Sequence, residues 1–288
     1  MGTNWSLHAV AAGVDVRAIA EQAFADVIGQ MSQWEPRSEL SRFNNAAPGR
    51  WHEISPEFAR VMDASRDIQR LSGGAFDPGL GVLTEAWGYG AGTGGDHPQA
   101  ASQIFSPKGW DFDSESKRIK RQNGFSLDLS GIAKGFAVDL VAERLLAASV
   151  RHFLIEIGGE LRGEGIDPSG QPWWVDIAMP PTCDVPPYRL ALHDLSIATS
   201  GNYQRGRVIN DAYYSHSFDP KLGAPIRHNV SSVSVIHRSC MMADGWATAL
   251  TIMGRSQAMA LAEQHQLAVC IIDGGHEFIS AAWRAMLS

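Results

Sequence analysis

The sequence predicts an α+β fold. Apolar residues recur at helical spacing in several segments, β-branched and aromatic runs at strand spacing fill others, and glycine-rich stretches separate the two kinds. From the N-terminal side, Ile19, Ala20, Ala23, Val27 and Met31 share one face of a helix spanning Val16 to Trp34. A second helix, about 56 to 72, carries its own punctuation. Ser55 suits the N-cap, Pro56 the first helical position and Gly73 the stop, with Val61, Ile68 and Leu71 between them. Glycines then crowd Gly73 to His97, as in binding loops, and charge replaces apolar pattern between Trp110 and Asn123, which reads as a surface excursion. Phe125, Leu127 and Leu129 alternate as in a strand. A glycine turn leads from them into a helix over Ala133 to Ser149, with Ala137, Leu140, Val141, Leu145 and Ala148 on one face.

Further strands are expected at Phe153–Ile157, Trp173–Ala178, Arg189–Leu192, Tyr213–Phe218 and Val230–Ile236. Met242–Met253 and Gln257–His265 read as helices, and Ala268–Ile272 and Phe278–Trp283 as closing strands. At ~150 residues per domain, 288 residues allow one large domain or two. Gly158-Gly159 and Gly163 to Gly170 soften the chain near 150–165, where a subdomain boundary would fall.

Composition narrows the functional classes. With 24 basic against 31 acidic side chains the formal charge is −7, so no nucleic-acid footprint is expected, and 44% hydrophobic with 19% charged residues suits a folded globular core. No window reaches the ~18 uncharged apolar residues that a membrane span needs. Cys183, Cys240 and Cys270 are widely spaced and form no Cys-x-x-Cys pair, which argues against a disulfide scaffold or structural zinc. Met1 to Ser6 has neither the basic nor the apolar region of a secretory signal, so the expected compartment is the cytoplasm, or the periplasm if a leader has been removed.

Asp244 and Thr248 lie four residues apart, placing a carboxylate and a hydroxyl on one helix face. Magnesium takes oxygen ligands and usually only one or two protein carboxylates, so the pair suits such an ion; an ordinary helix start with a back-bonded threonine fits the same spacing. The run Leu127 to Gly135 puts Gly131 and Lys134 at a strand-to-helix turn, where backbone groups and a cation can meet an anion, although it lacks Walker A spacing. Gly90 to Gly95 contains a formal Gly-x-Gly-x-x-Gly. No strand precedes it and Pro98 follows where a helix should open, so a dinucleotide fingerprint is rejected. His216 precedes an Asp219-Pro220 turn at a strand end and can exchange a proton near neutral pH. Ser200 has no nucleophile-elbow context.

Taken in order, these blocks resemble the FAD:protein FMN transferases, the ApbE-like flavin transferases, along the whole chain. The likeness runs through Met1-Gly2-Thr3, Ser38 to Asn44, Gly74-Ala75-Phe76-Asp77-Pro78 leading to Trp87 to Gly90, and Asp128 to Gly135 with Asp139. It continues through Ile157 to Glu160, Thr199 to Tyr203, His216 to Pro220 with Gly223 and Pro225, and Ala243 to Thr248.

The resemblance implies α+β subdomains packed around a flavin cleft. It also implies a magnesium-dependent transfer of the FMN part of FAD onto a threonine or serine hydroxyl of an acceptor protein, releasing AMP. By similarity Gly131, Asp244 and Thr248 hold the metal, while Met1, Trp34, Ala75, Phe76, Asp77, Asp128, Lys134 and Phe218 surround FAD. Trp34 and Phe76 would offer aromatic faces, Asp77 and Asp128 hydrogen-bond acceptors, and Lys134 a point charge for phosphate. His216 is the first choice of base for the attacking hydroxyl and Asp244 the second, because a bound cation depresses a carboxylate's basicity. An FAD pyrophosphatase yielding FMN and AMP, or a non-catalytic flavin carrier, would draw on the same residues. Ala247 stands where some relatives have a second acid, Leu222 where a threonine is usual, and Ser217 replaces an aliphatic residue.

Overall fold

A computed structural model of the chain describes residues 2–92, 94, 109–181, 183, 185–202, 206–209 and 212–287. In chain order the elements are β1 (Trp5–Ala9), α1 (Val16–Met31), α2 (Glu39–Asn45), β2 (Trp51–Glu53), α3 (Pro56–Leu71), α4 (Gly81–Ala86), β3 (Trp110–Asp113), β4 (Arg118–Arg121) and α5 (Ala133–Ala147). Next come β5 (Phe153–Ile157), β6 (Glu160–Glu164), β7 (Trp173–Asp176), β8 (Arg189–Leu192), β9 (Leu195–Gly201), β10 (Gly206–Ile209), β11 (Ala212–Ser215), β12 (Phe218–Asp219) and β13 (Ala224–Pro225). The chain closes with β14 (Val230–His237), α6 (Cys240–Met253), α7 (Arg255–Gln264), β15 (Ala268–Asp273), β16 (His276–Ile279) and α8 (Ala281–Ala285). The expected α+β mixture is what is found. It divides into two compact units: residues 1–25, 134–204 and 228–288 form the first, and 26–133 with 205–227 the second. Residues 150–165 fall inside the first unit and contain the β5–β6 hairpin.

The first unit is built on a seven-stranded sheet in the order β1-β5-β6-β9-β14-β15-β16, every neighbour antiparallel. Strand β14 is buried along most of its length because both faces are covered. Helix α6 packs on β9 and β14 on one side. On the other, Trp173 and Val175 of β7 and Leu190 and Leu192 of β8 join Ile197, Ile236, Cys270 and Ile272 in one apolar cluster. Trp283 completes it, so the expected strand Phe278–Trp283 is a correction: β16 stops at Ile279 and a short helix begins. Ser280 decides the change, since its Oγ accepts the Trp283 N–H at 3.2 Å and caps that helix.

In the second unit the punctuation read for α3 holds. Ser55 Oγ accepts the Phe58 N–H at 3.4 Å, and Phe58, Val61, Met62 and Ile68 are fully buried. Three expectations need correction. Residues 110–123 are a hairpin, β3 with β4, extended by β2; their charges alternate with Ile119, which is buried, so a period-two strand hid within a charged run. Phe125–Leu129 is extended but forms only an isolated bridge, Leu80 with Ser126. Its backbone is satisfied elsewhere: Asn44 Oδ1 accepts the Leu127 N–H at 2.8 Å, Asn44 Nδ2 donates to the Leu127 carbonyl at 2.9 Å, and the Asp128 N–H reaches the Pro78 carbonyl at 2.7 Å. The segment Tyr213–Phe218, expected as one strand, is broken at His216–Ser217 between β11 and β12.

Candidate functional site

In the first unit the site is assembled where α5 meets α6. Gly135 lies in the first turn of α5, and a Cβ added there would come within 2.3 Å of the Cys240 carbonyl oxygen and 2.8 Å of Asp244 Cβ. Only glycine permits that approach. The Gly135 N–H, one of the unpaired donors at a helix start, is given to Asp244 Oδ2 at 2.9 Å. Asp139, one turn further along α5, clamps the start of α6: its carboxylate accepts from Ser239 Oγ at 2.7 Å and from the Cys240 and Met241 N–H groups, each at 3.0 Å. Arg162 donates to the same carboxylate at 2.8 Å and also pairs with Glu164. An acid on one helix thus caps another and fixes the height of Asp244.

Asp244 is 5% exposed, and burial pushes its carboxyl up while the Lys134 charge and the Gly135 N–H act the other way. Lys134 follows the opposite logic. Burial disfavours its ammonium, but Glu160 and Asp244 more than offset this and hold it above the usual lysine value. Its ion pair is with Glu160. Burial pushes Glu160 up to about 8, with Lys134 opposing and the Asp244 charge adding. The Cys240 thiol is raised well above its ordinary value, first by burial, so it is an inert core group here. Thr248 follows Asp244 by one turn on α6, as its spacing predicts.

The other expected residues lie in the second unit. Gly131 sits in the turn leading into α5, where the Ile132 and Ala133 N–H groups both reach the Leu129 carbonyl. Asp128 Oδ1 accepts from the Ser130 N–H at 2.8 Å and Ser130 Oγ at 2.5 Å, and Gln33 Nε2 reaches Ser130 Oγ at 3.2 Å. Trp34, next to Gln33, is 55% exposed and has an open face. Ala75, Phe76 and Asp77 are buried, with the Phe76 ring covered. Asp77 Oδ1 accepts the Gly79 N–H at 2.7 Å, and burial pushes its carboxyl up to about 6 against that bond. Phe218 is only 1% exposed, packed on Trp87 and Tyr89 with ring centroids 6.0 Å away in each case.

His216 occupies the bend between β11 and β12, braced by the Ser217 N–H donated to Ser215 Oγ at 2.9 Å. Its ring lies 6.2 Å from that of Tyr89, whose hydroxyl donates to the Tyr214 carbonyl at 3.1 Å. Met1 lies outside the described residues. The roles of Asp139, Glu160 and Arg162 were not assigned from sequence. The available signal was Glu160, Arg162 and Glu164 at alternate positions of one strand, a charged face on an element that proves largely buried.

Among the described residues no three His, Cys, Asp or Glu side chains cluster to hold a metal. The oxygens that could meet a hard cation are one carboxylate, a hydroxyl and backbone carbonyls, a donor set that suits magnesium and not zinc or copper. A buried acid whose ionised form is disfavoured is also a group that a cation would stabilise.

Fold and site together define an antiparallel α+β protein with a buried acid–lysine cluster at a helix–helix contact. Residues 1–271 match the sequence profile of the ApbE family. A Haemophilus influenzae protein named FAD:protein FMN transferase is 33% identical, the match covering 88% of this chain and 76% of that protein. The solved flavin transferase ApbE from Vibrio cholerae superposes with a TM-score of 0.88 at 31% identity, over 99% of this chain and 96% of that one. A Pseudomonas stutzeri flavinyl transferase ApbE, in its apo form, gives 0.89 at 30%, over 99% and 94%. The chain belongs to the ApbE family.

Proposed function

We propose that the protein is a magnesium-dependent FAD:protein FMN transferase that moves FMN from FAD to a threonine or serine hydroxyl of an acceptor protein and releases AMP. The observation that supports this most directly is the buried Asp244 carboxylate, aimed by the Gly135 N–H and set beside Lys134 at the start of a helix. The names carried by the relatives supply the substrate and the acceptor class.

In this reading Asp244, Thr248 and the Gly131 carbonyl hold the ion, which when bound neutralises charge on the FAD pyrophosphate. Lys134 supplies a further positive charge to phosphate. Trp34 stacks on a ring of FAD, and Asp128 accepts hydrogen bonds from it. Ala75 and Phe76 present backbone groups, Asp77 organises their turn, and Phe218 and Met1 complete the surroundings. His216 takes the proton from the acceptor hydroxyl on its imidazole nitrogen as that oxygen attacks phosphorus, and AMP leaves with the bridging oxygen.

The test incubates the protein with FAD, magnesium and an acceptor peptide containing a threonine, and reads peptide mass and AMP. Added FMN mass on the threonine with stoichiometric AMP is expected, lost on chelation and in Asp244→Ala. AMP formed equally without acceptor and without peptide modification would replace this reading with FAD hydrolysis.

A further inference from the structure

Glu160 is placed with unusual care for a residue that the proposed chemistry does not use. It follows Gly158 and Gly159, whose φ values of 61° and 100° make a turn that side chains resist, and it pairs with Ile157 across the β5–β6 hairpin. The residue is 1% exposed, and its Oε2 finds no hydrogen-bond partner among the described residues. A buried carboxylate with one oxygen idle is costly, so stability does not explain the choice of an acid at this position. What it touches is the Lys134 ammonium, and that ammonium also lies in the field of Asp244.

The consequence follows from counting the charges in this pocket. The Lys134 ammonium feels the charges of two acids, Glu160 and Asp244, and is ion-paired with Glu160. Without Glu160, the ammonium would turn to Asp244, and a monovalent group would compete for the oxygens a divalent cation needs. With Glu160 present, Asp244 is engaged by a neutral donor, the Gly135 N–H on Oδ2, which aims the carboxylate without cancelling its charge.

We infer that Glu160 is a positioning residue that occupies the Lys134 ammonium and so keeps the Asp244 carboxylate open to a divalent cation. This rests on the reading of Asp244 as a cation ligand. Outer residues that orient metal ligands typically change metal affinity by about 10- to 100-fold when substituted.

Mn2+ alone is the probe, titrated into the full-length chain without FAD and followed by the electron paramagnetic resonance signal of the free ion. Glu160→Gln is expected to weaken Mn2+ binding by about 10-fold or more. Adding Lys134→Met to it restores binding towards the wild type, because the competing ammonium is gone. Lys134→Met alone binds at least as tightly as the wild type and reads the same competition should Glu160→Gln be unstable. Unchanged binding in Glu160→Gln, no recovery in the double variant, or weakened binding in Lys134→Met would each overturn the inference. Asp244→Asn separates the two levels: if it binds Mn2+ like the wild type, the ligand assignment beneath the inference fails with it, and if it loses binding, that assignment stands whatever Glu160 does.

Discussion

Gly135 and Asp244 meet as donor and acceptor at 2.9 Å across two helices that only a glycine allows to come so close. Gly135→Ala measures that contact. Alanine is the better helix former by roughly 1 kcal/mol, so propensity alone would stabilise the variant. The clash with the Cys240 carbonyl has the opposite sign, and overpacking typically costs about 1–3 kcal/mol. A net loss of stability in chemical denaturation is expected, and a variant as stable as the wild type would show that the helices can move apart freely.

Asp139→Ala should be more damaging. It strands Ser239 Oγ, the Cys240 and Met241 N–H groups and one guanidinium donor of Arg162 in a buried setting. Each orphaned donor costs about 1–3 kcal/mol, so a loss of about 3 kcal/mol or more is expected from urea midpoints. Asp139→Asn keeps an acceptor but not the charge and should fall between. A loss under about 1 kcal/mol for the alanine variant would mean that α6 does not depend on this cap.

Asp77 gives a pH signature. Its carboxyl is raised from 3.8 to about 6, above the unfolded value, so the native state binds more protons between those limits. Stability therefore falls as pH rises from about 4 to 6, and the buried charge still weighs on the fold at pH 7. Asp77→Asn keeps an acceptor for Gly79 and lacks the charge. The stability of the variant relative to the wild type should rise over that window, by at most about 3 kcal/mol. A difference that stays flat with pH would mean that Asp77 ionises in the fold as it does in the unfolded chain, and would rule out the raised carboxyl.

His216→Ala should leave FAD binding, measured by flavin fluorescence, near the wild type and lower FMN transfer by about 10²- to 10⁴-fold. The ring contacts Tyr89 at the edge of an aromatic cluster held independently by Trp87 and Phe218, so the fold should tolerate its loss. Unchanged transfer, followed by AMP release with acceptor present, would assign the base elsewhere.

Much of the helical framework was legible because helices announce themselves locally. Ser55, Pro56 and Gly73 bracket α3, and the apolar stripe of α1 needs no distant partner to be seen. Asp244 and Thr248 were visible for the same reason, since four residues on a helix is a local spacing. What escaped depends on partners remote in sequence. The Phe125–Leu129 alternation promised a ladder that Asn44, more than eighty residues earlier, replaces. Ile119 hid within a charged run because strand periodicity survives on one residue in two. The Asp139–Arg162 pair joins a helix to a strand, and Glu160 acquires meaning only when Lys134 lies against it.

Asn44 carries one last implication. By giving both ends of its amide to Leu127, a single side chain does the work of a neighbouring strand for the stretch that leads to Asp128. Order in that stretch is therefore held at separate points and not along a ladder, with Asn44 pinning Leu127 between the Leu80 contact at Ser126 and the Pro78 contact at Asp128. Aspartate at position 44 could still accept the Leu127 N–H but could no longer donate to its carbonyl, so a difference of one atom type would loosen the approach to the glycine turn.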